Sequence, residues 1–267
     1  MRPRGAGSKL GPGYTVVEHL ARGRTLDAYH AWSEERHSAC VVKVLRPDRR
    51  DEPGPRRRLV AEGRALTRLS HPNIVRGYEV VREPHPLVAM ESIGGETVGR
   101  LVERRGWLAP KELAFLGLHL CSAMRYLHER DLVHLDLKPS NVIADGGRAK
   151  VIDLSLTRRP GRARPGRGTW CYMAPEQARG GQVGPAADVW GIGVVLYEGA
   201  AGDTPFGDES LLYPQLEGRA PSLRSERRGL PRSLTTIVDA TLDPSPESRP
   251  TVAEVATALE PVAGARY

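Results

Sequence analysis

In the first third of the chain, apolar positions recur mostly at every second residue. YTVVEHL (14–20) alternates in strand fashion, and CVVKVL (40–45) reads as a buried, β-branched strand. VRGYEVV and PLVAME predict two further strands. Between 55 and 70 the period lengthens. Leu59, Glu62, Leu66 and Leu69 recur at spacings of three and four, so they share one helical face. Gly63 inside that helix is a cost of about 1 kcal/mol relative to Ala. After the turn at 93–96 the pattern becomes helical. Leu113, Leu116, Leu120, Met124 and Leu127 form one apolar stripe, and 188–197 reads as a fully buried helix despite Gly191 and Gly193. Residues 231–242 and 250–260 predict the last two helices. Segment 157–168 holds two prolines and three glycines, which predicts no regular structure. Residues 1–12 read as a flexible basic tail. A small strand-rich half (13–92) and a larger helical half (93–267) predict an α+β chain of two lobes with a cleft between them.

Composition narrows the class. At 267 residues the chain is long enough for a sizeable core. With 40% apolar and 27% charged residues it is neither fibrous nor compositionally disordered. No apolar stretch approaches the roughly 18 residues that span a bilayer, so no membrane partner is expected. Cys40, Cys121 and Cys171 lie far apart, with no C-x-x-C pair. That argues against a disulfide framework or cysteine zinc site and for a reducing, cytoplasmic setting. The net charge of +7 comes from 39 basic residues, of which only five are lysines. An excess of arginine favours loose contact with anions. Without interleaved aromatics it does not amount to a nucleic-acid platform, so no nucleic-acid partner is expected.

The chemistry concentrates in HLDLKPSN, 134–141. Asp136, Lys138 and Asn141 fall within one tight loop. A carboxylate can orient a hydroxyl and accept its proton, and a lysine can neutralise a phosphoryl group in transfer. An asparagine oxygen suits a hard cation such as Mg²⁺. Twelve residues on, Asp153 follows a short strand and could supply a second oxygen ligand.

These residues, in this order, resemble the catalytic core of a bacterial-type serine/threonine protein kinase. The resemblance runs from Tyr14 to the C-terminus. It implies the two-lobed protein kinase fold, with ATP and Mg²⁺ as cofactors and a protein Ser or Thr hydroxyl as acceptor. On it, Lys43 binds the α- and β-phosphates and Glu62 pairs with that lysine. Met90 is the gatekeeper, and Glu91 and Ile93 are hinge residues whose backbones hold adenine. Leu20, Ala21, Gly23, Ala28, Val41 and Ile143 complete the nucleotide-binding set. Asp136 is the catalytic base, Lys138 stabilises the γ-phosphoryl oxygens, and Asn141 and Asp153 hold the metal. Thr169 bonds the catalytic Asp and Lys, and Arg249 pairs with Glu176. Lys138 and the segment GTWCYMAPEQ mark the Ser/Thr, protein-directed class. His134 is read as a core histidine with a structural role.

Several positions depart from the family pattern. The glycine-rich loop aligns with 21–26 and keeps only Gly23. Ala28 replaces a valine and Val41 an alanine, a compensating swap of volume. Leu135 stands where an arginine receives an activation-loop phosphate, which implies activity without that phosphate. The metal-binding triplet reads Asp153-Leu154-Ser155, so the serine restricts a backbone that glycine leaves free. Arg158, Arg159, Arg162, Arg164 and Arg167 stud the activation segment, and a solvated basic loop is preferred there to an anion-seeking one. The alternative to an active kinase is a pseudokinase, a nucleotide-binding or scaffolding module favoured by the lost glycines. A small-molecule kinase has little support beside the YMAPEQ segment. The residues leave the oligomeric state open.

Overall fold

A computed structural model describes residues 2–166, 168–207 and 212–264; Arg167 lies outside the described residues. The fold is α+β and divides into two compact units. The first comprises Met1–Gly94 with Asp153–Ser155, and the second Gly95–Ile152 with Leu156–Tyr267.

The first unit is an antiparallel sheet with one helix. Its strands are β1 (Lys9–Gly11), β2 (Tyr14–Arg22), β3 (Leu26–Ser33), β4 (Ser38–Leu45), β5 (Gly77–Val81) and β6 (Leu87–Glu91), in the order β1-β2-β3-β4-β6-β5. The expected loose tail is corrected here: residues 9–11 pair with the start of β2, and Leu10 is buried. Register shifts in β2 leave Val17 and Leu20 outside the pairing, each nearly half exposed, as bulges do. Residues paired directly across strands share a face. One face therefore carries Ala28 opposite Lys43, Val41 opposite Met90, and Lys43 opposite Val88. The other face buries Tyr29, Ala31, Cys40, Val42 and Ala89 against Leu10, Tyr14 and Val16.

Helix α1 (Pro53–Leu66) packs on β4, β5 and β6 through Leu59, Glu62, Gly63 and Leu66. Gly63, a cost on helix propensity alone, is the point of closest approach. A Cβ there would lie 2.6 Å from Val88 Cγ2 and 2.8 Å from Val80 Cγ2. The missing side chain brings α1 down onto the Lys43 face, with Glu62 one residue away.

The second unit is mainly helical. It opens with β7 (Glu96–Thr97), α2 (Val98–Arg105) and α3 (Pro110–His128). The stripe foreseen on α3 is fully buried. It faces α5 (Pro185–Ala201) and α8 (Val252–Ala263). Strands β8 (Val142–Asp145) and β9 (Arg148–Val151) form a hairpin that pairs with β7. Helix α5 is buried nearly all round, as its uniformly apolar sequence requires. Trp190 on it stacks on Phe206 with ring centroids 5.3 Å apart. The 157–168 segment is not wholly irregular: β10 (Gly161–Arg162) pairs with β11 (Gln182–Val183). Between these two strands lies the short α4 (Pro175–Ala178), and α6 (Leu223–Glu226) and α7 (Arg232–Thr241) follow α5. Thr251 caps α8, its hydroxyl accepting from the Glu254 N–H while Glu254 Oε2 accepts from the Thr251 N–H. Among the described residues, no helix is long and apolar enough to cross a membrane.

Candidate active site

In the first unit, strand β4 presents Lys43 to helix α1. Its ammonium lies 2.6 Å from Glu62 Oε1 and 3.2 Å from Asp153 Oδ2. Burial alone would push the Lys43 ammonium down, but the carboxylates of Asp153 and Glu62 outweigh it and hold it above its ordinary range. Burial would likewise push Asp153 up. The Lys43 charge and the N–H of Ser155, 2.8 Å from Asp153 Oδ1, reverse that and hold the carboxyl well below the usual range. Glu62 is the exception: its burial exceeds the pull of Lys43, and its carboxyl is pushed up. Leu154 beside Asp153 is buried.

Ala28, Val41 and Met90 lie on the Lys43 face. Ala28 and Val41 are half-buried and Met90 is buried. Leu20 and Ala21 are exposed at the end of β2, with Gly23 in the turn after it. Glu91 ends β6, where its N–H donates to the Arg76 carbonyl and its carboxylate accepts from the Arg76 N–H. Ile93 follows, half-buried.

In the second unit, the loop after α3 gathers Asp136, Lys138 and Asn141 with Thr169. Asp136 Oδ1 accepts from the N–H and the hydroxyl of Thr169, both at 3.3 Å. Asp136 Oδ2 accepts from Asn141 Nδ2 at 3.1 Å and lies 3.4 Å from the Lys138 ammonium. Lys138 also donates to the Thr169 hydroxyl. Asn141 Nδ2 donates as well to the Asp136 carbonyl, which fixes the orientation of the amide. Ile143 sits half-buried on β8, opposite Thr97 and Lys150.

Among the supporting residues, His128, Gln177 and Gln215 were missed in the sequence. Asp188, near the start of α5, accepts from the backbone N–H groups of His134 and Leu135 and faces His128 Nε2 at 2.8 Å. This braces Leu135, which sits at φ 66°, a strained conformation for a side chain of that size. Gln177 Nε2 donates to the Leu135 carbonyl, and Gln215 Nε2 to the carbonyls of Trp170 and Met173. Neither glutamine carried a signal, Gln177 standing between Glu176 and Arg179 and Gln215 two residues before Glu217. His134 is buried, and its Nδ1 accepts from the Asp136 N–H. Arg249 forks onto Glu176 with two contacts of 2.8 Å and donates to the carbonyls of Asp243 and Ala186.

In the first unit the ionised Asp153 carboxylate, and in the second the Asn141 amide oxygen, are each hard oxygen donors of the kind a divalent cation takes. The protein kinase domain family model matches residues 14–259. Serine/threonine-protein kinase PkaA of Streptomyces coelicolor is 33% identical over 289 residues, covering 98% of this chain and 51% of its own length. Serine/threonine-protein kinase PknB of Mycobacterium tuberculosis is 33% identical, covering 91% of this chain and 41% of its own length. Serine/threonine-protein kinase PrkC of Bacillus subtilis is 28% identical over 87% of the chain. The chain thus spans about half or less of the curated relatives it matches. By the extent of the family match and the identity to these relatives, the chain belongs to the protein kinase domain family.

Proposed function

We propose that this chain transfers the γ-phosphoryl group of ATP to serine or threonine hydroxyls of proteins. The observation that carries the reading is the Asp136 carboxylate, held at both oxygens by Thr169, Asn141 and Lys138. A base gripped in this way meets an incoming hydroxyl with its orientation already fixed. Phosphoryl transfer passes through a loose transition state, so positioning and charge stabilisation account for most of catalysis. Asp136 aligns the acceptor hydroxyl and takes its proton. Lys138 offsets charge on the transferred group. Lys43, kept cationic by two carboxylates, holds the α- and β-phosphates. Ala28, Val41, Met90 and Ile143, with Leu20, Ala21, Gly23 and the backbones at Glu91 and Ile93, hold the nucleotide.

Asn141 and Asp153 would hold Mg²⁺, which when bound neutralises phosphate charge. The names of PkaA, PknB and PrkC support the Ser/Thr class, as does Lys138 two residues after the base. Leu135 cannot receive a phosphate through a charge-assisted fork, so activity does not depend on activation-segment phosphorylation. Asp136→Asn is expected to lower transfer by about 10²- to 10⁴-fold while leaving ATP affinity unchanged. Radiolabel transfer and calorimetry on the two proteins test this. A wild type that binds ATP yet labels no protein would sink the reading in favour of a nucleotide-binding scaffold.

A further inference from the structure

The hairpin joining β2 to β3 has lost two of its three family glycines, and its backbone shows why that is tolerated. Among the described residues of 21–26 none adopts a left-handed φ, and a Cβ on Gly23 would meet only the Leu26 carbonyl, at 3.4 Å. The turn does not need glycine's freedom. It is fastened instead.

At its mouth, Arg22 and Asp27 face each other across the strands. The guanidinium forks onto the carboxylate at 2.8 and 2.9 Å. Asp27 is fully buried, and His19 Nε2 approaches its Oδ1 at 3.3 Å. At its tip, the Gly23 N–H donates to the Leu26 carbonyl at 2.8 Å. A second arginine arrives from the end of β4. The Arg46 N–H donates to the Thr25 carbonyl, and its Nη1 donates to the carbonyls of Gly23 and Arg24 at 3.3 and 3.5 Å. Arg46 is itself aimed by a fork onto Asp48. All three carbonyls of 23–25 are thereby tied to one side chain and its backbone.

We propose that Arg22, Asp27 and Arg46 are positioning residues that hold the 23–25 turn in one preset conformation for nucleotide phosphates. The inference rests on the nucleotide reading above. A glycine-rich loop closes on its ligand and loses conformational freedom in doing so, whereas a fastened turn has lost that freedom already. Charge-assisted forks are the strong hydrogen bonds available for this purpose.

Three variants test it. Asp27→Asn breaks the fork. Arg22→Met with Asp27→Leu removes both charges and leaves neither orphaned, so folding is preserved. Arg46→Ala releases the tip. Each is expected to raise KM for ATP by about ten-fold, the scale of a charged hydrogen bond, with kcat within about two-fold of wild type. In nucleotide-free protein, backbone amides of 23–26 are expected to exchange hydrogen faster in all three. Unchanged exchange, or faster exchange with an unchanged KM, overturns the inference. If the wild type binds no ATP, the functional reading falls and takes this one with it. If the wild type binds ATP and the variants match it, this inference alone is lost.

Discussion

Lys43 lies between two carboxylates that burial pushes the same way but whose net shifts are opposite, and this has a consequence for acid stability. The Asp153 carboxyl is lowered in the fold relative to the unfolded chain. It therefore contributes stability at neutral pH, and that contribution is lost as pH falls below the ordinary value of 3.8 toward the folded one. Asp153→Asn should unfold at lower urea than wild type near about pH 7, and the gap should narrow near about pH 3. The cysteines differ in the same physical way. Burial pushes the Cys40 thiol up to about 11 and the Cys121 thiol up to about 12. Neither should alkylate in the native protein at about pH 8, because the thiolate is the nucleophile. Half-buried Cys171 should label first, which mass spectrometry after iodoacetamide treatment would show. At this scale the sequence named residues that the fold brings together, Asp136, Lys138, Asn141 and Thr169. It hid Asp27, whose charge sits on the inward face of β3 between apolar neighbours. Inward alternation with Tyr29 and Ala31 was the clue, but β3 itself carried no strong strand pattern.

Among the elements, α1 and α5 show where glycine was misjudged. Propensity treats Gly63 and Gly193 as weaknesses, yet both are contact points. A Cβ on Gly193 would lie 2.0 Å from Thr241 Oγ1, where α7 crosses α5. Gly63→Ala should destabilise by about 1–3 kcal/mol through overpacking, opposite in sign to its helix propensity. Thermal unfolding of the single variant decides between the two signs. The stripe on α3 was legible because five large apolar residues at helical spacing admit only one buried face. The partner of that face was not legible, since periodicity says nothing about which helix supplies the other half of the core. Arg249, fully buried in its side chain, joins α4 to the turn before α8. Arg249→Ala leaves Glu176 without its counter-charge and should cost about 3–5 kcal/mol, measurable as a lower denaturation midpoint.

For the molecule as a whole, Leu135 is, under the proposed function, the point at which dependence on phosphate is tested. Its backbone is clamped by Asp188 and Gln177, and its side chain is buried. Phosphatase-treated and fully phosphorylated protein should transfer phosphate at rates within about two-fold of each other. Strict dependence on phosphate would refute this. The division into a sheet-rich and a helical unit was readable from the change in apolar period near residue 94. The assignment of Asp153–Ser155 to the first unit was not, because three residues are too few to show a period and meet that unit through Lys43 and Glu62.

The short N-terminal strand carries a last consequence. Ser8 and Gly7 hydrogen-bond to Val16, Leu10 plugs the floor of the sheet, and the Arg4 N–H donates to the Tyr29 hydroxyl. A protein trimmed to begin at residue 13 would carry a bare sheet margin, a row of unmet amides and carbonyls beside an opened apolar floor. Such margins recruit other chains, so the trimmed protein should self-associate more strongly in light scattering than the 267-residue chain.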